Sequence, residues 1–417
     1  MSRYGDEVAS LATALRDPGD LDELVERAGR ARVVLLGEAS HGTHEFTAWR
    51  AALTRRLIEE QGFAFVAVEG DWPGCARVDR SVRALPGEDV RPREALLGPG
   101  RWPTWLWATE EVRGFCEWLR TANRARGLQV GFHGLDVYSL GESLRAILAH
   151  LREHDPDQVP AALAAYRCFE PYAENPQAYA WSTRFVSASR ENEVVDLLVR
   201  LREREARQAG ELAVWQHAEV VAGAEHYYRA MLHGCPRSWN VRDRHMDETL
   251  DRLLRHYGPD ARAVVWAHNT HVGDARATDQ ARHGENTLGE LARDRYGAGR
   301  VLLVGSGTHR GTVVAGESWG APMRELAVPP AREGSLEDVL HATAPPRALL
   351  AFRPGEWPAL LTEELAHRAI GVVYRPDRER WANYVPTVLG DRYDAFLWFD
   401  ETRAVRPLHP AAVDTRA

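Results

Sequence analysis

Apolar residues in this chain gather into short runs, and between the runs they recur at helical spacing. "RVVLLG" is apolar on both faces and ends at Gly37, as expected of a buried strand in a parallel sheet. "HEFTAWRAALTRRLIEEQG" then places Phe46, Trp49, Leu53, Leu57 and Ile58 on one helical stripe, with Gly62 as its stop. "FAFVAVEGDW" is a second strand, so residues 33 to 70 predict a β-α-β unit with parallel strands and a right-handed crossover. Further strands are expected in "LQVGFHGLDVYS", "ARAVVWAHN", "RVLLVGSG", "TVVAG", "ALLAF", "AIGVVY" and "YDAFLWFD". Residues 5 to 31 predict an amphipathic helix interrupted at "DPGD". Between about 141 and 255 the strand pattern disappears, and helices rich in Ala, Leu, Arg and Glu are expected.

Strands alternating with helices predict an α/β fold. The expected form is a three-layer α/β/α core with a mostly parallel sheet plus a large helical insertion. Residues 1–140 form the first part of that core, 141–255 the insertion acting as cleft or lid, and 256–417 the second part.

Composition narrows the function. The 44% hydrophobic and 27% charged fractions are those of a soluble globular protein. A formal charge of -8 argues against a general nucleic-acid partner, because phosphate binding wants a basic face. No stretch is long and apolar enough to span a membrane, and "MSRYGDEVASLATALRD" lacks an apolar signal core, so a cytoplasmic protein is expected. Cys75, Cys116, Cys168 and Cys235 lie far apart with no CxxC spacing, which excludes a zinc ribbon or thioredoxin motif and predicts reduced, buried thiols. Nothing indicates an oligomeric state.

The candidate chemistry lies at the strand ends. In parallel α/β sheets, ligands bind at the carboxyl ends of the strands. Here "VVLLG" ends in Glu38 and His41, "FVAV" in Glu69 and Asp71, "VGF" in His133 and Asp136, and "VVW" in His268, Asn269 and His271. Four such endings point to one crevice that collects them. His44 and Arg50 follow His41 on the next helix, where the face of Phe46 and Trp49 would turn Arg50 inward. Trp72 closes "EGDW", and Trp102, Trp105 and Trp107 form an aromatic passage that either walls a large cleft or packs as ordinary core.

No Walker loop, G-x-G-x-x-G fingerprint, G-x-S-x-G elbow or local cysteine-nucleophile signature occurs. What remains is histidine and carboxylate with arginine nearby, a set suited to general acid–base catalysis on water. An imidazole titrates near cellular pH, and a carboxylate on its other ring nitrogen would fix its tautomer. A cation or second histidine would stabilise the oxyanion of an acyl intermediate. A rival reading takes His41-x-x-His44 and His268-x-x-His271, with Glu38 and Glu69, as ligands for zinc or iron.

"GEASHGTHEFTAWR", "VAVEGDW", "GLDVYS", "RDRHMDETL", "VVWAHNTHVGDAR" and "GVVYRPDRERWANYV" with "DRYDAFLWFDET" together resemble the erythromycin esterase family, from about residue 30 to 408. The resemblance implies a parallel-sheet α/β core with added helices, and hydrolysis of a macrolide lactone ester without a metal or other cofactor. It matches the water-activating histidine to His41, the glutamate beside it to Glu38, the helix arginine to Arg50 and the glutamate after the second strand to Glu69. The late histidine matches His268, with His271 second, and Arg242 in "RDRHM" is a further candidate.

The leading expectation is therefore a hydrolase for an ester or lactone of a bulky small molecule. His41 is its base, oriented by Glu38 or Glu69, and His268 and Arg50 bind the carbonyl or the developing oxyanion. His271, His133, Asp136, Asp71, Trp72, His44, Arg242 and Trp107 are expected to contact substrate. Two alternatives keep the fold: a natural-product tailoring enzyme that transfers, cyclises or eliminates, and a metal or haem carrier.

Overall fold

The computed structural model describes residues 3–85, 89–98, 103–169, 212–231, 235–352 and 357–409. Trp102 and much of the expected insertion lie outside the described residues, as do the side chains of Cys168 and Cys235.

A mostly parallel central sheet dominates an α/β fold, as the alternation of strands and helices predicts. Its strands are β1 (Ala12–Ala14), β2 (Val33–Glu38), β3 (Phe65–Asp71), β4 (Gly131–Asp136), β5 (Ala263–His268), β6 (Val301–Gly316), β7 (Met323–Val328), β8 (Arg347–Ala351) and β11 (Ala395–Thr402). They lie in the order β1-β8-β11-β6-β2-β5-β3-β4, with β7 paired to β6. β9 (Glu364–Arg368) and β10 (Tyr384–Val388) form a separate antiparallel pair.

The central strands are buried on both faces, which is why β2 and β5 read as unbroken apolar runs. β2 runs parallel to β5 on one side and to β6 on the other. The β2–β5 register pairs Val33 with Ala263 and, five residues on, Glu38 with His268. The helix His44–Gln61 buries Phe46, Leu53, Leu57 and Ile58. It stops at Gly62, whose φ of 67° allows its N–H to bond back to the Ile58 carbonyl. The helix Glu110–Arg126 starts under a Thr109 side-chain cap, so the aromatic passage does lead into a helix.

Three local expectations need correction. Residues 5 to 31 are not one interrupted helix: Ala12–Ala14 leave it as strand β1, antiparallel to Ala348–Leu350. Three residues are too few to carry a period that pattern reading detects. "TVVAG" is no separate strand, because β6 continues through Gly311 for 16 residues. "AIGVVY" is not a regular strand. Ile370 is fully buried and bridges Ser40, and Val373 bridges Gly316, so backbone pairing with neighbouring loops replaces a ladder there. The strand lies just upstream in "ELAHR", hidden by its charged residues.

The chain divides into two compact units. One comprises residues 1–67, 78–132 and 260–417 and holds most of the sheet. The other comprises 68–77 and 133–259. Its described helices include Leu140–His154, Val159–Phe169, Leu212–Ala230 and Cys235–Tyr257. They enclose an apolar core of Leu144, Ile147, Leu151, Ala162, Val221 and Ala224. No described helix is long and apolar enough to cross a membrane.

Because Leu35 sits fully buried in the central strand β2, Leu35→Ala should destabilise the fold by about 3 kcal/mol. Denaturant unfolding of the two proteins, compared at equal slope, measures that loss.

Candidate active site

The larger unit gathers four of the expected residues. β2 ends in Glu38, and the loop that follows turns at Gly42, whose φ is 72°. A Cβ at Gly42 would meet the Val314 carbonyl oxygen at 2.3 Å, so only glycine lets the loop pack this closely. The turn brings His41 back over the end of its own strand. His41 Nδ1 lies 2.8 Å from Glu38 Oε1, and Arg50 donates to Glu38 Oε2 at 2.6 Å from the helix behind. His268, register partner of Glu38, sets its ring 4.9 Å from that of His41 at 42°. All four side chains are buried. The Arg50 guanidinium also lies over Trp266 and Trp107, at 5.4 and 5.9 Å from the ring centres.

Hydrogen-bond partners assign the two imidazoles opposite roles. His41 Nδ1 faces a carboxylate, which only accepts, so that nitrogen carries the proton. The Nε2 atom is then the basic one. His268 Nδ1 accepts from the Thr270 backbone N–H at 3.3 Å and lies 2.8 Å from the Thr270 hydroxyl. In the neutral ring this leaves the proton on Nε2, where it can be donated. One ring is set up to accept a proton and its neighbour to give a hydrogen bond. Composition pointed to neither Thr270 nor this division of roles. The available signal was a strand-end histidine followed two residues on by a threonine, where the histidine ring caps the next helical turn.

Other expected residues of this unit sit elsewhere. His271 is buried on the single helical turn Asn269–Val272, and the ring against His41 is that of His268. His44 Nδ1 pairs with Glu111 Oε1 at 2.8 Å. Burial alone would raise the Glu111 carboxyl, but bonds from His44 and backbone N–H groups hold it below its usual range. Trp107 lies tilted by 32° against Trp266 at 6.4 Å between ring centres, and Trp105 is core.

The second unit holds its own cluster. Arg242, on the helix Cys235–Tyr257, donates to Glu69 at 2.7 Å and to both oxygens of Asp136 at 3.0 and 2.7 Å. Its guanidinium lies 5.3 Å from the centre of the Tyr138 ring. Burial opposes the charge on Arg242, yet Asp136, Tyr138 and Glu69 raise its pKa well above the usual value. Glu69 is thus tied to a cation of its own unit. Trp72 stacks on His133 at 5.7 Å, and His133 Nε2 lies 2.8 Å from the Tyr257 hydroxyl. Asp71 accepts from the Gly74 N–H at 2.9 Å and caps the start of the helix Trp72–Arg83. Among the described residues, no group of three or more His, Cys, Asp or Glu side chains is placed to hold a metal ion.

The family model described as erythromycin esterase matches residues 58–402. Erythromycin esterase type II of Escherichia coli is 30% identical over 124 residues, covering 30% of this chain and 28% of that protein. The match thus spans under a third of that relative's length. A Bacillus cereus protein of solved structure superposes with a TM-score of 0.80 at 18% identity, over 98% of this chain and 99% of that one. A mutant erythromycin esterase in its open conformation superposes with a TM-score of 0.68 at 16% identity, over 93% of this chain and 95% of that one. At such identities the two structures speak for the fold alone.

Glu38 accepts bonds from both a buried arginine and a buried imidazole, so Glu38→Ala should cost about 3 kcal/mol or more of stability. The double variant with Arg50→Met should recover part of that loss, because it also removes the buried cation. Unfolding midpoints of the two variants check the ordering.

Proposed function

The chain belongs to the erythromycin esterase family, and on that premise we propose that it hydrolyses the ester or lactone bond of a bulky small molecule, a macrolide being the first to test. The observation that carries this reading is the pair of imidazoles with opposite hydrogen-bond roles, 4.9 Å apart.

His41 Nε2 takes a proton from a water molecule as that water attacks the ester carbonyl carbon. Glu38 holds the ring in the tautomer that leaves Nε2 basic, and stabilises the imidazolium once it forms. Arg50 holds the Glu38 carboxylate in place. His268 donates its Nε2 proton in a hydrogen bond to the carbonyl oxygen, whose negative charge grows as the tetrahedral intermediate forms. Collapse expels the alkoxide, which takes the proton held by His41, and the products are a carboxylic acid and an alcohol. No metal ion takes part in this scheme, and the protein is assigned to the cytoplasm.

Erythromycin incubated with the protein in ¹⁸O-labelled water should gain one labelled oxygen in a ring-opened carboxylate, read by mass spectrometry. An unlabelled, isomerised or dehydrated product would point instead to transfer or elimination. His41→Ala should stay folded by circular dichroism and lose about two to four orders of magnitude in turnover. Near-normal turnover in that variant removes His41 from the mechanism. Turnover should also survive prolonged chelation, whereas a loss restored by added zinc or iron would contradict the metal-free scheme.

A further inference from the structure

Another histidine–carboxylate pair of the larger unit is fully buried, and the proposed chemistry does not use it. His367 Nδ1 is 2.6 Å from Glu337 Oε1, and both side chains are fully buried. An imidazole and a carboxylate without solvent are expensive to desolvate, so their retention invites an explanation.

Their contacts lead to the proposed acid–base site. Asn269, directly after His268, is fully buried. Its Nδ2 donates to the Ser306 carbonyl oxygen at 2.7 Å, while its Oδ1 accepts from the Ser306 N–H at 3.3 Å. Those two bonds fix which end of the amide is nitrogen. The same Nδ2 lies 3.1 Å from His367 Nε2, which must therefore accept. The proton of His367 then sits on Nδ1 and is donated to Glu337. Glu337 Oε1 also accepts the Arg368 backbone N–H at 2.8 Å.

From Asn269 the network reaches both sides of Glu38. The amide crosses so close to Gly37 that a Cβ there would lie 2.1 Å from Asn269 Oδ1. Ser306 Oγ donates to the Gly37 carbonyl at 3.2 Å and accepts from the Ala39 N–H at 3.2 Å. Beyond His367 the chain continues to Ile370, whose N–H bonds the Ala39 carbonyl and whose carbonyl accepts the His41 N–H. The strand end bearing Glu38, the loop bearing His41 and the residue after His268 all hang on one buried polar tie.

We infer that His367, held by Glu337, is a positioning residue for the His41–Glu38–His268 site, acting by accepting from Asn269. Its kinetic consequence rests on the hydrolase reading; its structural consequence does not. Burial pushes the His367 imidazole toward its neutral form, against the pull of Glu337, and the acceptor role of Nε2 requires that same form.

The test compares His367→Gln with His367→Met in the full chain. Glutamine offers Oε1 near the position of the ring Nε2, whereas methionine has similar length and no comparable acceptor. Two readouts are taken: the downfield NMR signal of the His41 Nδ1 proton in ligand-free protein, and the split between kcat and KM for erythromycin. The glutamine variant should keep the His41 signal and near-normal kcat. The methionine variant should lose the signal to exchange and fall about tenfold or more in kcat, with KM little changed. A methionine variant that keeps signal and kcat, or a glutamine variant as impaired as methionine, overturns the proposal. If erythromycin is not turned over at all, the hydrolase reading is in question while the NMR comparison still decides this one. Should the methionine variant not fold, ¹⁵N-histidine NMR of the unmodified protein decides: the proton must be on Nδ1 of His367, and an Nε2 proton or an imidazolium there refutes the inference.

Discussion

A buried carboxylate persists in a protein only where cations and hydrogen-bond donors replace the water it has lost. Glu38 is such a group, and its surroundings organise the proposed active site. Arg50 bonds one oxygen from the helix behind and His41 the other from the loop ahead. The parallel register with β5 sets His268 beside it. Strand, loop, helix and neighbouring strand each contribute one group, so the geometry of the site follows from the geometry of the sheet. The polar ends of β2 and β5 are otherwise out of keeping with strands whose every position is buried.

The same requirement explains the polar chemistry behind the site. Asn269 bonds both backbone groups of Ser306, and Ser306 in turn bonds both sides of Glu38. Arg392 and Tyr393 donate to the Asn269 carbonyl. Buried hydrogen-bonded networks of this kind are rigid, because each broken bond leaves a desolvated partner. Rigidity matters for a base that must meet water and carbonyl together, since small displacements are expensive in rate. The second unit applies the principle again, with Arg242 held between Glu69 and Asp136 against Tyr138.

Much of this was legible in the chain. The apolar runs of β2, β3 and β5 and the stripe and stop of the helix His44–Gln61 follow from period and glycine placement. The pairing of His41 with Glu38 is local, three residues apart, and visible once the loop is recognised. Other features depend on distant partners. Arg242 meets Asp136 across 106 positions and Glu69 across 173, which no local pattern encodes. His268 and His271 share one motif, and only the strand end at residue 268 sets the His268 ring against that of His41. Arg368 reads as surface yet is buried in β9 because Glu379 and backbone carbonyls receive its donors. β1 escaped because three residues carry no period.

The central claim is that Glu38 and His41 work as one unit, the carboxylate acting only through the ring it holds. A double-mutant cycle on kcat/KM for the hydrolysed ester tests this most directly, using Glu38→Gln, His41→Ala and the pair together. If the two form a unit, the double variant is no slower than His41→Ala alone. Losses that multiply, each variant contributing its full factor in the presence of the other, would show that Glu38 acts independently of His41 and would contradict the mechanism.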